Sequence, residues 1–200
     1  MMNKVILFNP FSASNGYRIP NSILQVAASI HDRYEVAFVD GNREIDPWET
    51  IQKLLESGEY LFFGCTVMPG PQLRQAIPYT KRIRQEYPEV KIIWGGYFPS
   101  NQYQVVLESG YVDFVINGQG DHCFPQLLDA LSGGQTEFDH ISNLIYIKEG
   151  EVVKTKKEFV SDQDSLPKLP YTKIDSYYPL KGYLKKTFLG QRTAAYHASF

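Results

Sequence analysis

Short apolar runs alternate with amphipathic stretches through the first two thirds of the chain. The apolar runs are rich in β-branched residues and have the length of buried strands, whereas the stretches between them repeat apolar residues three and four positions apart, as helices do. Five strands are predicted at 4–8, 34–40, 60–66, 90–96 and 112–117. Five helices are predicted at 22–30, 47–55, 72–87, 101–109 and 122–131. This alternation is typical of a doubly wound α/β fold with a five-stranded parallel sheet.

The pattern changes after residue 135. Two short apolar runs flank Glu149-Gly150, a pair that favours a hairpin turn. From residue 161 the chain is rich in proline and then in tyrosine, which is typical of an extended linker, and 192–200 resembles the start of another strand. We therefore expect an α/β domain over 1–135, a small β-hairpin extension over 136–160, and a linker with one further strand over 161–200.

Composition and charge narrow the possible functions. The 200 residues are 43% hydrophobic with a net charge of −2, which suits a globular domain and gives no basic footprint for nucleic acid. No run reaches the length of a membrane span and the N-terminus lacks the pattern of a signal peptide, so we expect a cytoplasmic protein. Cys65 and Cys123 provide neither a disulfide framework nor a metal-ligand spacing, and we expect inert buried thiols.

Ligands of open parallel sheets bind beyond the carboxyl ends of the strands. Four loops leave these ends and are rich in Gly, Pro, Ser, Thr or Asn: 9–16, 66–71, 95–100 and 118–121. Turn formation alone favours such residues, but four loops together favour a binding edge. A dinucleotide fingerprint is absent because Asn9-Pro10-Phe11-Ser12 follows the first strand, and the chain has no Walker-type phosphate loop.

Two of these loops carry a specific spacing. Thr66-Val67-Met68 follows the third strand, and Gly95-Gly96 follows the fourth after 26 further residues. The pair resembles the second half of the signature of cobalamin-binding domains. The resemblance implies that the Thr66 hydroxyl bonds the benzimidazole tail of the cofactor and that the two glycines leave room for this flat base.

The first half of that signature is absent. Cobalamin mutases and methionine synthase carry Asp-x-His-x-x-Gly after the first strand, whereas Asn9 and Phe11 stand at the Asp and His positions here. The resemblance therefore implies a base-off cobalamin without a lower histidine ligand. A cobalamin-binding sequence without this histidine motif resembles the N-terminal domain of cobalamin-dependent radical-SAM enzymes. The same family is resembled by three further segments, 94–100, 111–121 and 196–200.

That resemblance implies a Rossmann-like (flavodoxin-like) cobalamin-binding module, cut before the C-terminal radical-SAM domain of the same protein. The missing domain would hold a 4Fe-4S cluster and S-adenosylmethionine, and the whole enzyme would carry out methyl transfer or another radical reaction. The expected cofactor contacts are Asn9, Ser12, Thr66, Val67, Met68, Gly95, Gly96, Tyr97, Phe98, Gly118, Gln119 and Gly120. Asp121 is expected as the N-cap of the fifth helix rather than as a ligand group.

Two other functions stay open. The same fold could carry a degenerate site and serve as a scaffold or interaction domain without cobalamin. Alternatively, it could be a flavodoxin-like domain that binds a nucleotide or flavin, although no recognised phosphate loop and no nucleophile–base pair support that function.

Overall fold

A computed structural model describes residues 3–12 and 18–194. The strands are β1 (Asn3–Asn9), β2 (Tyr34–Asp40), β3 (Tyr60–Thr66), β4 (Lys91–Gly95), β5 (Phe114–Ile116), β6 (Leu144–Lys148), β7 (Glu151–Lys154), β8 (Lys185–Thr187) and β9 (Gly190–Thr193). The α-helices are α1 (Asn21–Ala28), α2 (Pro47–Glu56), α3 (Leu73–Glu86), α4 (Tyr97–Asn101), α5 (Tyr103–Glu108), α6 (Cys123–Ser132) and α7 (Tyr171–Tyr177). Short 3₁₀ turns lie at Gln163–Ser165 and Leu180–Tyr183.

The main sheet has the strand order β2-β1-β3-β4-β5-β6-β7. The first five strands are parallel, which confirms the predicted doubly wound fold. The predicted hairpin β6–β7 pairs antiparallel with β5 and so continues the same sheet. Pairing on β5 covers backbone groups that a free edge would expose. At the hairpin tip, Glu149 and Gly150 both have positive φ, as a type I′ turn requires.

Helices cover both faces of the sheet. Leu7 and Phe8 are neighbours on β1, yet they belong to separate cores because successive side chains of a strand point to opposite faces. The core on the Leu7 side lies under α1 and α6, and the core on the Phe8 side lies under α2, α3 and α5. Both faces are buried, which explains why the strands show continuous apolar runs rather than alternation.

The segment 97–100, which was expected to be a loop, is helical. Gly96 precedes α4, and the amide of Phe98 donates to the carbonyl of Val67 at 3.0 Å. Pro99 is tolerated because it stands in the first turn, where an amide has no helical partner. The helix expected at 101–109 is observed as α5 at 103–108, because Gln102, whose φ is −121°, separates it from α4, which ends at Asn101.

The linker was expected to be extended, but it contains regular secondary structure. It contains α7, two 3₁₀ turns and the two-stranded β8–β9 sheet. Ile174 of α7 is fully buried in the core beside α1 and α6, and this apolar anchor explains why the segment folds onto the domain. Of the last expected strand, Arg192 and Thr193 belong to β9, while 195–200 lie outside the described residues. Within 3–12 and 18–194, no helix combines the length and apolar character needed to cross a membrane.

Candidate functional site

A cavity of about 1310 Å³ opens at the carboxyl ends of β1, β3, β4 and β5. It lies between the sheet and helices α1 and α6. This position is next to the switch point of the sheet, where β2 lies on one side of β1 and β3 on the other. Its floor is apolar and consists of Leu7, Ile93, Ile116 and Phe124, which belong to the core on that face. This is the place where open α/β sheets bind their ligands.

Gly64 flattens the floor of this cavity. A Cβ at this position of β3 would lie 2.8 Å from Leu7 Cδ2 and 3.3 Å from Phe124 Cζ. No side chain fits there without displacing its neighbours, so the glycine leaves a smooth face beside the apolar floor. Gly64 is not among the contacts predicted from the sequence, although an isolated glycine inside an apolar strand is a signal for close approach of another group.

The two glycines after β4 have different roles. Gly95 pairs with Thr66 across the β3–β4 ladder, and the nearest atom to a Cβ on Gly95 would be Ile116 Cβ at 3.9 Å. Gly96 has φ 99°, and a Cβ on it would lie 3.0 Å from the Val67 carbonyl oxygen. The backbone therefore requires Gly96, whereas Gly95 leaves open space within the cavity.

The structure brings most of the expected site residues together. The cavity wall includes nine of the twelve, namely Asn9, Ser12, Thr66, Met68, Gly95, Gly96, Gly118, Gln119 and Gly120. Val67 is fully buried in the core on the opposite face of the sheet. Tyr97 and Phe98 lie apart from this cavity and border a shallow depression with Pro69 and Val105. Residues 13–16 of the first loop lie outside the described part of the chain.

The linker forms one side of the cavity, which the sequence did not reveal. Its contributions are Gln163, Asp164, Leu166, Pro167, Lys168, Leu169 and Tyr171. The linker is attached to the loop after β5 because the amide of Val160 donates to Gln119 Oε1 at 2.8 Å. A ligand in this cavity would therefore touch both the α/β domain and the segment that leaves it.

A buried polar cluster lies on the strand-one side of the cavity. Asp40 is 0% exposed, and its Oδ1 accepts from Asn9 Nδ2 at 2.9 Å and from the amide and Nδ2 of Asn42 at 3.0 and 2.9 Å. Its Oδ2 accepts from the Tyr183 hydroxyl at 2.7 Å. We call these residues the Asp40 cluster. Burial, and then the nearby Asp40 carboxyl, raises the pKa of Tyr183.

The Asp40 cluster fixes the loops around it. Asn42 Oδ1 accepts from both the amide and the hydroxyl of Ser12, and Asn9 Oδ1 accepts from Gln72 Nε2 at 3.4 Å. Gln72 Oε1 in turn accepts from the Met68 amide at 2.6 Å. The loops after β1, β2 and β3 are thus joined by side-chain hydrogen bonds, which gives the cavity a defined wall on this side.

Another part of the cavity wall, formed by α1 and the loop after β5, carries polar atoms without partners in the described structure. Asn21 Oδ1, Gln25 Nε2 and Asp121 Oδ1 are buried and make no hydrogen bond in the described structure, and all three side chains line the cavity. The expectation that Asp121 caps the fifth helix is wrong, because α6 begins at Cys123 and His122 takes the cap position without a side-chain bond. A floor left flat by Gly64 and unpaired polar atoms on the wall fit a ligand with a flat apolar part and a hydrogen-bonding part.

Both cysteines are buried, as expected. Burial raises the pKa of Cys65 well above its ordinary value and raises that of Cys123 to about 12, so neither thiol ionises readily. Cys65 nevertheless lines the cavity. In the described part of the chain, no three His, Cys, Asp or Glu side chains come together in a way that could hold a metal ion.

Two solved structures of radical S-adenosylmethionine enzymes share this fold. OxsB, a cobalamin-dependent S-adenosylmethionine radical enzyme with aqua-cobalamin and S-adenosylmethionine bound, matches 84% of this chain and 24% of its own length with a TM-score of 0.73 and 19% identity. TsrM from Kitasatospora setae, a radical S-adenosylmethionine methyltransferase with cobalamin and a [4Fe-4S] cluster bound, matches 84% of this chain and 31% of its own with a TM-score of 0.67 and 18% identity. The chain thus spans less than a third of either enzyme. At this identity the similarity is one of fold.

No curated protein sequence matches the chain. The family model described as the B12 binding domain matches residues 13–128, which include β2 to β5 and the loops at their carboxyl ends. Since this match covers more than half of the 200 residues, and the fold agrees with it, the chain belongs to the B12 binding domain family.

Proposed function

We propose that this domain holds cobalamin at the carboxyl edge of its sheet, with the nucleotide tail of the cofactor in the cavity between the sheet and helices α1 and α6. The observation that carries the proposal is the flat apolar floor beside Gly64, which continues to the open space at Gly95. A planar base buried there would cover the apolar floor residues. Thr66, which pairs with Gly95, would direct its hydroxyl group to a nitrogen of that base.

The remaining expected contacts would surround the rest of the cofactor. Asn9 and Ser12 are fixed by the Asp40 cluster on one side, and Gly118, Gln119 and Gly120 line the other side. Met68 and Tyr97 are 48% and 63% exposed, so they would offer apolar contact to the corrin ring, together with the half-buried Phe98. The expected contact from the Val67 side chain is left out, because this side chain is fully buried in the core on the other face of the sheet. These assignments follow the position of each residue at the carboxyl edge.

We further propose that the cofactor binds base-off and without a histidine ligand. Phe11 stands where the histidine of the cobalamin mutases would be, and its amide donates to Gln75 Oε1 at 2.6 Å, which holds the loop backbone against α3. The phenyl ring offers no atom that could coordinate cobalt. The protein's contribution would therefore be to bind and shield the corrin rather than to supply its lower ligand.

The full protein is proposed to be a cobalamin-dependent radical-SAM enzyme, by analogy with the enzymes that share the fold. Cobalamin would supply methyl transfer or another radical reaction, and the 4Fe-4S cluster and S-adenosylmethionine would belong to a C-terminal domain of the same protein. A scaffold role without cobalamin explains the structure less well, since a scaffold has no need for unpaired polar atoms beside a large cavity. A nucleotide or flavin site would lack a recognised phosphate loop.

The test is retention of a corrinoid by the purified chain. We expect the unaltered chain, mixed with hydroxocobalamin and desalted, to keep the visible absorption of the corrin. Gly95→Val should weaken binding about a hundredfold or more, because the side chain enters the cavity while its Cβ meets no neighbour closer than 3.9 Å. Gly190→Val is the matched control, since a Cβ on this strand glycine would also find only a distant neighbour, Thr193 Cγ2 at 3.8 Å.

Two results would contradict the proposal. Absence of retained absorbance in the unaltered chain would contradict the cobalamin function, and full retention by Gly95→Val would contradict the placement of the tail in this cavity.

The base-off state has a separate readout. After reduction to Co(II), electron paramagnetic resonance should show cobalt hyperfine lines without the extra splitting that a coordinated nitrogen causes.

A further inference from the structure

The unpaired polar atoms on the cavity wall point to a recognition function of their own. We propose that Asn21, Gln25 and Asp121 form a hydrogen-bonding subsite for a neutral hydroxyl or amide group of the bound corrinoid. This inference rests on the proposed function. It adds a specificity element on the α1 side of the cavity. The cofactor contacts predicted from the sequence include no residue of this helix.

The three residues come from two segments that meet on one wall. Asn21 begins α1, and Gln25 follows one turn later, so both side chains lie on the same face of that helix. The loop that carries Asp121 packs against α1, because a Cβ on Gly120 would lie 3.3 Å from Val26 Cγ2. All three side chains line the same cavity.

Three polar atoms of this wall have no hydrogen-bond partner among the residues that the structure describes. Asp121 is 7% exposed, and neither its Oδ1 nor Asn21 Oδ1 nor Gln25 Nε2 has a hydrogen-bond partner in the described structure. Buried polar atoms of folded proteins are paired in the great majority, because an unpaired one loses its hydration without replacement. Three such atoms on one cavity wall are accounted for by a ligand that pairs with them.

The chemistry of these atoms defines the partner group. Asn21 Oδ1 and Asp121 Oδ1 accept hydrogen bonds, whereas Gln25 Nε2 donates one. A phosphate would bring only acceptors to a wall with two acceptor atoms. A hydroxyl or a primary amide can donate and accept at once, so it satisfies both kinds of atom. Cobalamin carries both groups, with amides around the corrin ring and hydroxyls on the ribose of its tail.

Titration with two corrinoids distinguishes these sources. Cobinamide keeps the corrin amides and lacks the nucleotide tail, whereas hydroxocobalamin has both. We expect Gln25→Leu and Asp121→Ala each to weaken hydroxocobalamin binding about tenfold, as loss of one hydrogen bond to a buried group does. A matching loss with cobinamide identifies the corrin amides as the partner. An unchanged affinity for cobinamide identifies the ribose hydroxyls. Either result supports the subsite.

The controls separate recognition from folding. Gln135→Leu changes an exposed glutamine after α6 and should leave both affinities unchanged. Asp121→Asn keeps an acceptor oxygen and should bind hydroxocobalamin within about threefold of the unaltered chain. Thermal unfolding of each variant without corrinoid checks the fold. Hydroxocobalamin binding at unaltered strength by both Gln25→Leu and Asp121→Ala overturns the subsite and leaves the proposed function standing. Failure of the unaltered chain to bind either corrinoid overturns both.

Discussion

Asp40 and Asp121 are two buried aspartates near the carboxyl edge of the same sheet, and their surroundings differ completely. Asp40 ends β2 and receives four hydrogen bonds from Asn9, Asn42 and Tyr183. Asp121 follows the glycine loop after β5, and its buried Oδ1 has no partner in the described structure. A satisfied buried carboxyl group stabilises the fold, whereas an unsatisfied one weakens it unless a ligand completes it. The Asp40 carboxyl group is therefore completed by the protein itself, whereas Asp121 keeps a buried acceptor atom that the bound corrinoid would complete under the proposal above.

The Asp40 cluster also connects parts of the chain that are far apart in sequence. Tyr183 lies 143 residues after Asp40, and Tyr178 receives a hydrogen bond from the Asp40 amide at 3.1 Å. The linker is thus fixed to the α/β domain through Asp40, next to Asn9 on the cavity wall. The comparison predicts that changes in the cluster alter stability, whereas changes at Asp121 alter ligand binding.

The largest expected effect is that of Asp40→Ala. Removal of this carboxyl group leaves the Tyr183 hydroxyl and the amides of Asn9 and Asn42 buried without an acceptor. We expect the free energy of unfolding to fall by about 3 to 5 kcal/mol, measured by urea denaturation. Asp40→Asn should cost less, because its Oδ1 still accepts from Asn9 and Asn42. A loss below about 1 kcal/mol for Asp40→Ala would contradict the structural role given to this side of the edge.

The parts of the fold that the sequence predicts are those set by local pattern. The parallel strands are buried on both faces, so their runs of Val, Ile and Phe are nearly continuous and their positions can be read directly. Thr66 and Gly95, whose spacing in the sequence resembles the cobalamin-binding signature, also lie side by side in the fold, because they stand at the ends of neighbouring strands and pair there. The cobalamin-binding family could be identified from that spacing for the same reason.

The parts that escaped prediction depend on contacts between distant segments. Gly-Gly and Pro99 signal a turn locally, but the bond from the Phe98 amide to the Val67 carbonyl supports a helix. Asp121 resembles a helix cap in sequence, and only the packing of its loop on α1 shows that its carboxyl faces the cavity instead. The linker wall and the Asp40 cluster require knowledge of where residues beyond 160 fold back, which no local pattern contains.

A smaller effect is expected from Tyr183→Phe, which removes one bond of the Asp40 cluster. The free energy of unfolding should fall by about 1 to 2 kcal/mol at pH 7, because Asp40 Oδ2 loses its donor. Tyr97→Phe is the control, since the Tyr97 side chain is 63% exposed. A loss no larger than that of the control would show that the linker contact adds nothing to the stability of the cluster.

The same variant should change the pH dependence of stability. Burial raises the pKa values of Tyr178 and Tyr183 in the folded chain, whereas unfolded tyrosine ionises near pH 10. Above about pH 10 the folded state therefore holds more protons than the unfolded state, so stability falls as the pH rises. Tyr183→Phe should reduce this slope by up to about 1.4 kcal/mol per pH unit. Urea denaturation between roughly pH 9 and 11, on both sides of the ordinary tyrosine pKa, measures the slope. An unchanged slope would show that Tyr183 ionises as freely in the folded chain as in the unfolded one.

The smallest effect on the ligand-free chain is expected from Asp121→Ala. Its Oδ1 makes no hydrogen bond to lose, so removal should change the free energy of unfolding by less than about 0.5 kcal/mol, or raise it slightly. With hydroxocobalamin in excess, the same variant should gain about 1.4 kcal/mol less stabilisation than the unaltered chain, as a tenfold weaker affinity requires. Urea denaturation with and without the corrinoid measures both numbers. If Asp121→Ala destabilises the ligand-free chain as strongly as Asp40→Ala, the two aspartates serve the same structural role and the contrast between the two sides of the edge is wrong.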